Sequence, residues 1–244
     1  MNYLSAVLYM VLMVAPCLFL LVRNLGPITE WICSLAQKII TEALPGKQMA
    51  MVYSEYPPFG KIFSLSFEAA MPQPSEILIS MTVVVIVIAL LVLSSLRGRP
   101  LMIYLLFSFM VHIISCVFYI FERDSLIYTG AEFSELFMKQ QISIWILFIV
   151  FMGIIVSFFG GKGFFYRIGC FFGVLAYSAV VSVIRYIVFM FILARYSVLY
   201  MADMFFITGP IFDFLYLVMF YVFFSSKVQS VLDSPDGEDE WRWL

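Results

Sequence analysis

The chain has 244 residues, of which 64% are hydrophobic, 18% aromatic and only 12% charged. Soluble domains carry about 25% charged residues, so this composition predicts an integral membrane protein. The net charge of −2 and the scattered basic residues argue against a nucleic-acid partner, and a single histidine, His112, argues against a heme or multi-histidine metal centre. We therefore expect no cofactor and no metal.

Six hydrophobic stretches predict transmembrane helices, because about 20 apolar residues span the ~30 Å hydrocarbon core and a helix satisfies its own backbone hydrogen bonds. The expected spans are Leu4–Val22, Ile77–Leu96, Leu101–Phe121, Ile142–Phe159, Phe164–Arg195 and Phe205–Ser226. The first contains Pro16, which predicts a kink. It lacks the charged start and the cleavage site of a signal peptide, so we interpret it as an anchor.

The segment that follows the first span begins with Asn24-Leu25-Gly26-Pro27 and continues as an amphipathic helix. The expected apolar face consists of Ile28, Trp31, Ile32, Leu35, Ile39 and Ala43. This periodicity is typical both of a helix on the outer membrane surface and of a lid over the bundle, and the sequence does not choose between them. The stretch Pro45–Pro74, rich in aromatics and proline, predicts an ordered cap. Cys33 lies alone in this outer segment, and the sequence leaves open whether it is crosslinked.

Basic residues mark one end of the predicted bundle. They are Arg97, Arg99, Lys162, Arg167 and Lys227, which follow the second, fourth and sixth spans. Cytoplasmic loops collect lysine and arginine, so we expect both termini inside. Short loops and the absence of N-x-S/T sequons suit a bacterial inner membrane.

The predicted fold is an all-α integral membrane protein, a six-helix transmembrane bundle with an outer amphipathic helix and cap and with both termini cytoplasmic. Residues 1–22 form the first helix, 23–76 the outer helix and cap, 77–226 the remaining five helices, and 227–244 an acidic cytoplasmic tail. The tail ends in two tryptophans, which suit either an interfacial anchor or a short docking motif.

Charged side chains inside a membrane are costly, so they indicate pairing or function. Counting 1.5 Å per residue from Arg167 places Arg185 about 27 Å along its helix, in the outer leaflet. We expect an outer polar cluster of Arg185, Glu135, Lys139, Gln140, Asp203 and Asp213. In it, Arg185 should contact a carboxylate. His112, half-way up its helix, should be neutral and hydrogen-bonded to a serine or a backbone carbonyl.

Three stretches of the second half carry a family resemblance. They are Gly163-Phe-Phe-Tyr-Arg167, the element Ser182-Val183-Ile184-Arg185-Tyr186, and MFFITGPIFDFLYLVMFYVFF with Gly209. With them, residues 135–227 resemble the exosortase/archaeosortase family of membrane cysteine transpeptidases. The resemblance implies that Arg185 occupies the place of the family arginine.

The chain departs from that family at two positions. Where the family has a Cys-Ser-Gly nucleophile element, this chain has Lys139-Gln140-Gln141, and the family histidine would fall near Phe205 or Phe206. A thiolate and a base are needed for acyl transfer on a peptide. The resemblance therefore implies an exosortase-like scaffold without the reaction, such as an accessory protein encoded alongside those enzymes.

Three functions follow as hypotheses. The first is a non-catalytic membrane protein that acts by binding a partner protein in or at the outer face of the bilayer. The second is a membrane cysteine peptidase or transpeptidase with a relocated site of Cys116, His112 and Arg185, because Cys116 stands one turn above His112. The third is a transporter or channel subunit, with Arg185, Glu135, Lys139 and Asp213 along its path.

Overall fold

In the computed structural model, the described residues are 3–93, 100–122, 129–159 and 164–232. Within these ranges the chain is mostly helical. The helices and strands are α1 (Tyr3–Arg23), α2 (Leu25–Ala43), β1 (Met49–Tyr56), β2 (Gly60–Phe67), α3 (Pro74–Leu93), α4 (Pro100–Phe121), α5 (Gly130–Phe159), α6 (Phe164–Arg195) and α7 (Phe212–Leu232). A 3-10 turn, Val198–Tyr200, and a π-helical turn, Asp203–Ile211, connect α6 to α7.

Five helical segments of the described ranges are long and apolar enough to cross a membrane. They are Pro74–Leu93, Met102–Phe121, Gly130–Ser157, Arg167–Arg195 and Asp203–Phe223. The pair α1 and α2 meets the same criterion only together, and a bend of 62° separates the two helices. The chain is thus a multi-pass helical membrane protein by length and composition, with five spans, or up to six if the bent pair counts as one.

Side-chain caps set where two of the spans begin. The Thr129 hydroxyl accepts a hydrogen bond from the Glu132 N–H at 3.3 Å, and the Glu132 carboxylate accepts from the Thr129 N–H at 2.7 Å, which is a capping box. The Glu76 carboxylate likewise accepts from the Gln73 N–H at 2.9 Å, ahead of α3. The predicted start of the fourth span at Ile142 was wrong, because the capping box starts α5 at Gly130 and its polar first turns stay helical.

The cap contains a β-hairpin, so the all-α prediction was wrong there. Strands β1 and β2 pair antiparallel from Met49 opposite Phe67 to Tyr56 opposite Gly60. The turn between them includes two consecutive prolines, and Gly60 follows with φ +98°, a backbone conformation that glycine adopts without strain. Strand β2 supplies the buried side chains of the hairpin, whereas the side chains of β1 are exposed or half-buried.

Helix α2 is a lid over the bundle, but its buried face differs from the predicted one. The buried residues are Leu25, Thr29, Ile32, Cys33, Ala36 and Ile40, which pack toward β2 and α6. Trp31 and Ile39, which belong to the predicted apolar face, are 60% and 42% exposed. The helix therefore carries one apolar stripe against the protein and a second one facing outward. Cys33 belongs to the inner stripe and is fully buried as a free thiol.

Tyr186 of α6 joins the cap to the bundle. Its buried hydroxyl lies 2.7 Å from the Ser134 hydroxyl of α5, accepts from the Leu65 N–H of β2 at 3.2 Å, and lies 3.5 Å from the Cys33 thiol. Gly130 lies so close to β2 that a Cβ there would be 2.6 Å from the Phe67 carbonyl oxygen. These contacts fix the cap against the start of α5 and the end of α6, and we call this the cap end of the bundle.

The sidedness prediction falls largely outside the described residues. Arg97, Arg99 and Lys162 lie in the undescribed segments 94–99 and 160–163, and the acidic residues of the tail lie in 233–244. Of the basic residues, Arg167 lies in α6 and Lys227 in α7. The sidedness of the bundle therefore stays a prediction.

Candidate functional site

The predicted outer polar cluster separates into three groups near the cap end. Arg185 pairs with Asp213, Glu135 pairs with Lys139, and Asp203 pairs with His112. The prediction that Arg185 contacts a carboxylate is confirmed, since its Nη2 donates to Asp213 Oδ2 at 2.7 Å.

The Arg185 centre is closed. Its Nη2 also donates to Gln141 Oε1 at 2.7 Å, and its Nη1 donates to the backbone carbonyls of Thr208 and Gly209 at 2.8 and 3.2 Å. The guanidinium also lies 5.8 Å from the centre of the Phe137 ring. Arg185 is 6% exposed and Asp213 is 1% exposed. An ion pair this deeply buried joins helices, and neither partner is free for a substrate.

A break in the π-helical turn supplies the carbonyls that Arg185 uses. Gly209 has non-helical dihedrals, φ −82° and ψ −111°, and Pro210 has no N–H with which to continue the ladder. The Phe205 carbonyl, five residues before Pro210, accepts instead from Gln140 Nε2 at 3.2 Å. A Cβ on Gly209 would lie 3.1 Å from Gln140 Oε1. Gln140 and Arg185 thus replace the backbone donors that the break removes.

The Arg185 centre retains four buried polar atoms without a hydrogen-bond partner in the described part of the chain. They are Arg185 Nε, Gln141 Nε2, Gln140 Oε1 and Asp213 Oδ1. Each such atom costs free energy when it is taken out of water. The charge pair and the contacts to carbonyls stabilise the centre, while the four unpaired atoms destabilise it. The loss of either charge should therefore destabilise the fold.

The Glu135–Lys139 pair lies on the partly exposed side of α5. Both side chains are 30% exposed, they are one helical turn apart, and Lys139 lies 5.7 Å over the Tyr56 ring of the cap. This pair does not join the Arg185 centre, so the predicted cluster is not one site.

His112 lies on the wall of a cavity between the α3–α4 hairpin and the connection from α6 to α7. Its Nε2 is 2.7 Å from the Ser80 hydroxyl of α3, and its Nδ1 contacts Asp203 Oδ2. The Tyr200 ring stacks on the imidazole at 5.7 Å between ring centres. The prediction of a histidine bonded to a serine is confirmed, but the carboxylate partner and the identity of that serine were missed.

The cavity beside His112 has a volume of about 800 Å³. Its apolar wall is formed by Ile79, Val83, Val84, Phe109, Leu199 and Ile207, and its polar lining by Glu76, Ser80, Ser108, His112, Arg195, Tyr196, Ser197, Tyr200, Asp203 and Thr208. On the other side of α4 lies an almost wholly apolar cavity of about 590 Å³, lined by side chains such as Phe118, Phe133 and Phe205.

The relocated cysteine site is not assembled. Cys116 is fully buried, and it lines neither of the two cavities beside α4. Arg185 is absent from the lining of the His112 cavity, where only the Thr208 residue that it contacts is shared. Among the described residues, no group of three histidine, cysteine or acidic side chains is arranged to hold a metal ion.

No family model, no curated protein and no solved structure matches this chain.

Proposed function

We propose that the chain is a polytopic membrane protein with an exosortase-like scaffold that acts by binding another membrane-associated protein through its cap. In this proposal the Arg185 centre is a structural replacement for a transpeptidase centre. The observation that carries it is the closed state of Arg185, whose four hydrogen bonds go to Gln141, Asp213 and two backbone carbonyls.

The positions named by the resemblance meet around this arginine, which supports the proposal. Gln141, from the stretch that stands in place of the nucleophile element, accepts directly from Arg185. Its neighbour Gln140 donates to Phe205, near the place of the family histidine. An amide has neither the nucleophilicity of a thiolate nor the basicity of an imidazole, so neither glutamine can replace the family's cysteine or histidine in acyl transfer.

The cap supplies the surface for a partner. Trp31 of α2, Tyr53 of β1 and Met71, just before α3, are 60%, 67% and 51% exposed. Strand β1 has α2 and β2 as neighbours but is otherwise an edge strand, and an edge presents backbone groups to which an extended segment can add. By the positive-inside rule, this surface faces away from the cytoplasm in a bacterial inner membrane, with both termini cytoplasmic.

Site-specific photocrosslinking tests this function. With benzoylphenylalanine in place of Tyr53, we expect one discrete crosslinked protein band in intact cells, and the same band under two mild detergents. The same amino acid in place of Tyr221, which is also exposed but lies on α7 away from the cap, is the matched control and should not give that band. A chain recovered alone from both detergents, with no product from position 53, contradicts the proposal. The transport hypothesis remains a prediction, to be measured as Arg185-dependent flux into vesicles.

A further inference from the structure

Asp203, His112 and Ser80 form a linear hydrogen-bond chain from three separate parts of the fold. Asp203 begins the π-helical turn, His112 lies in α4, and Ser80 lies in α3. The carboxylate contacts Nδ1 of the imidazole, and Nε2 on the opposite edge lies 2.7 Å from the serine Oγ. The order is acid, imidazole, hydroxyl, and each contact joins the atoms that a proton relay requires.

The proposed relay requires an ionised Asp203 and a neutral His112. In that state the carboxylate only accepts, so His112 carries its proton on Nδ1 and donates it to Asp203. Nε2 is then the bare nitrogen, and the Ser80 hydroxyl donates to it. This is the protonation state in which an imidazole can remove a proton from a serine hydroxyl.

The chain is open to a ligand along one side. Ser80 is half-buried, and all three residues line the cavity of about 800 Å³. Cavities of roughly 300–1,000 Å³ are the usual size for small-molecule sites. The Arg185 centre is separate, since neither Arg185 nor Asp213 lines this cavity. The relay and the cavity thus form a second site that the proposed function does not use.

We propose that Ser80 is the nucleophile of a hydrolytic site that cleaves a carboxylic ester of a membrane lipid. Ser80 Oγ attacks the ester carbonyl carbon while His112 Nε2 takes the hydroxyl proton. The carbon–oxygen bond to the alcohol breaks, and the leaving oxygen takes that proton from Nε2. Water then attacks the acyl carbon while His112 Nε2 takes a proton from it. The bond from that carbon to Ser80 Oγ breaks, Nε2 gives the proton to Oγ, and the products are a carboxylic acid and an alcohol. Asp203 acts as a positioning residue, because it fixes the ring and stabilises the imidazolium.

The surroundings of the cavity favour a lipid ester. One wall is α3, the least buried of the candidate spans in the described ranges and a helix that packs mainly on α4. A molecule diffusing in the bilayer therefore reaches this wall laterally. The apolar lining suits an acyl chain, while Arg195, at the cap end of α6, lines the same cavity and offers a cation to an anionic head group.

A purely structural relay is the competing explanation, and it makes a different prediction. Buried serine, histidine and aspartate also join helices, and in that role Ser80 would be no more reactive than any other hydroxyl. Reactivity at Ser80 in the folded chain distinguishes the two. The matched control is Thr82, which follows Ser80 by two residues on α3, lies outside the lining of the cavity and donates to the Leu78 carbonyl of its own helix.

The test uses the full-length chain in lipid nanodiscs and a fluorophosphonate probe, with the adduct located by mass spectrometry. We expect the adduct on Ser80, its loss in Ser80→Ala, and full labelling in Thr82→Ala. Hydrolysis of a fluorogenic acyl ester should fall at least about 100-fold in Ser80→Ala.

The unmodified chain gives the decisive result without any variant. If no adduct forms on Ser80, the proposed hydrolytic site is wrong. An adduct on Ser80 with cleavage of a transmembrane peptide and no ester hydrolysis overturns the lipid-ester assignment. Neither outcome affects the crosslink from position 53.

Discussion

Asp213→Leu is expected to lower the free energy of unfolding by about 3–5 kcal/mol, because it leaves the Arg185 guanidinium buried without its counter-ion. Arg185 is 6% exposed and has no other carboxylate partner among the described residues. For a chain of this length, the thermal midpoint should fall by roughly 10 °C. The measurement is thermal unfolding in a mild detergent, followed by tryptophan fluorescence.

The double variant Arg185→Met/Asp213→Leu separates a structural pair from a catalytic one. Removing both charges together leaves no unpaired buried charge, but the carbonyls of Thr208 and Gly209 lose their donor, so the double variant should recover only part of the lost stability. Glu135→Leu is the control, since it breaks the partly exposed pair with Lys139 and should cost no more than about 1 kcal/mol. An unchanged midpoint in Asp213→Leu would show that Arg185 is not held by this ion pair.

Asp203→Asn is expected to slow fluorophosphonate labelling of Ser80 on the order of 10⁴-fold. The amide no longer accepts as an anion, so it neither holds the proton on Nδ1 nor stabilises the imidazolium. This magnitude is the one known for the corresponding aspartate-to-asparagine change in a serine protease triad. The measurement is the second-order rate constant of labelling in nanodiscs.

Two variants show whether the effect of Asp203 acts through His112. Glu76→Gln removes a carboxylate from the lining of the same cavity and should leave the rate within about twofold. The amide oxygen of the new side chain can still accept from the Gln73 N–H, so the start of α3 is kept. Asp203→Glu keeps the anion and should restore part of the rate. Equal rates in Asp203→Asn and the unchanged chain, with similar thermal midpoints, would remove Asp203 from the relay.

The helical part of the fold was predictable because apolar composition alone specifies it. The expected bounds of α6, Phe164–Arg195, agree with the structure, and those of α4 differ by one residue. Lipid requires a long apolar helix, so few alternatives compete. The pairing of Arg185 with a carboxylate followed from the cost of a buried charge in the same way.

The cap was less predictable, because its contacts are tertiary. The alternation of Lys61 to Phe67 and the turn before Gly60 were the available signals for a hairpin, but the proline-rich context obscured them. In α2, apolar residues occur on two faces, and only the docking of β2 decides that Cys33 is inside and Trp31 outside. Helical periodicity cannot rank two apolar stripes of similar strength.

The two polar sites depend on which helices are neighbours. Ser80 is a small polar residue in an apolar span, and nothing in its local sequence distinguishes it from Ser108. Asp203 was expected beside Arg185, but the π-helical turn directs it to His112. The adjacent residues Gly209 and Pro210 were the local sequence signal that this connection is irregular.

The molecule combines a closed Arg185 centre with an open cavity beside Ser80, and this contrast is the central claim. Its most direct test is the accessibility of a thiol at each position, with Gln141→Cys and Ser80→Cys introduced separately into a background whose four native cysteines are replaced by alanine. Gln141 is 1% exposed and Ser80 lines the cavity. With a small maleimide applied to the protein in nanodiscs, we predict rapid modification of Ser80→Cys and almost none of Gln141→Cys. Rapid modification at position 141 with protection at position 80 would show that the Arg185 centre is open and the Ser80 cavity closed, which contradicts the central claim.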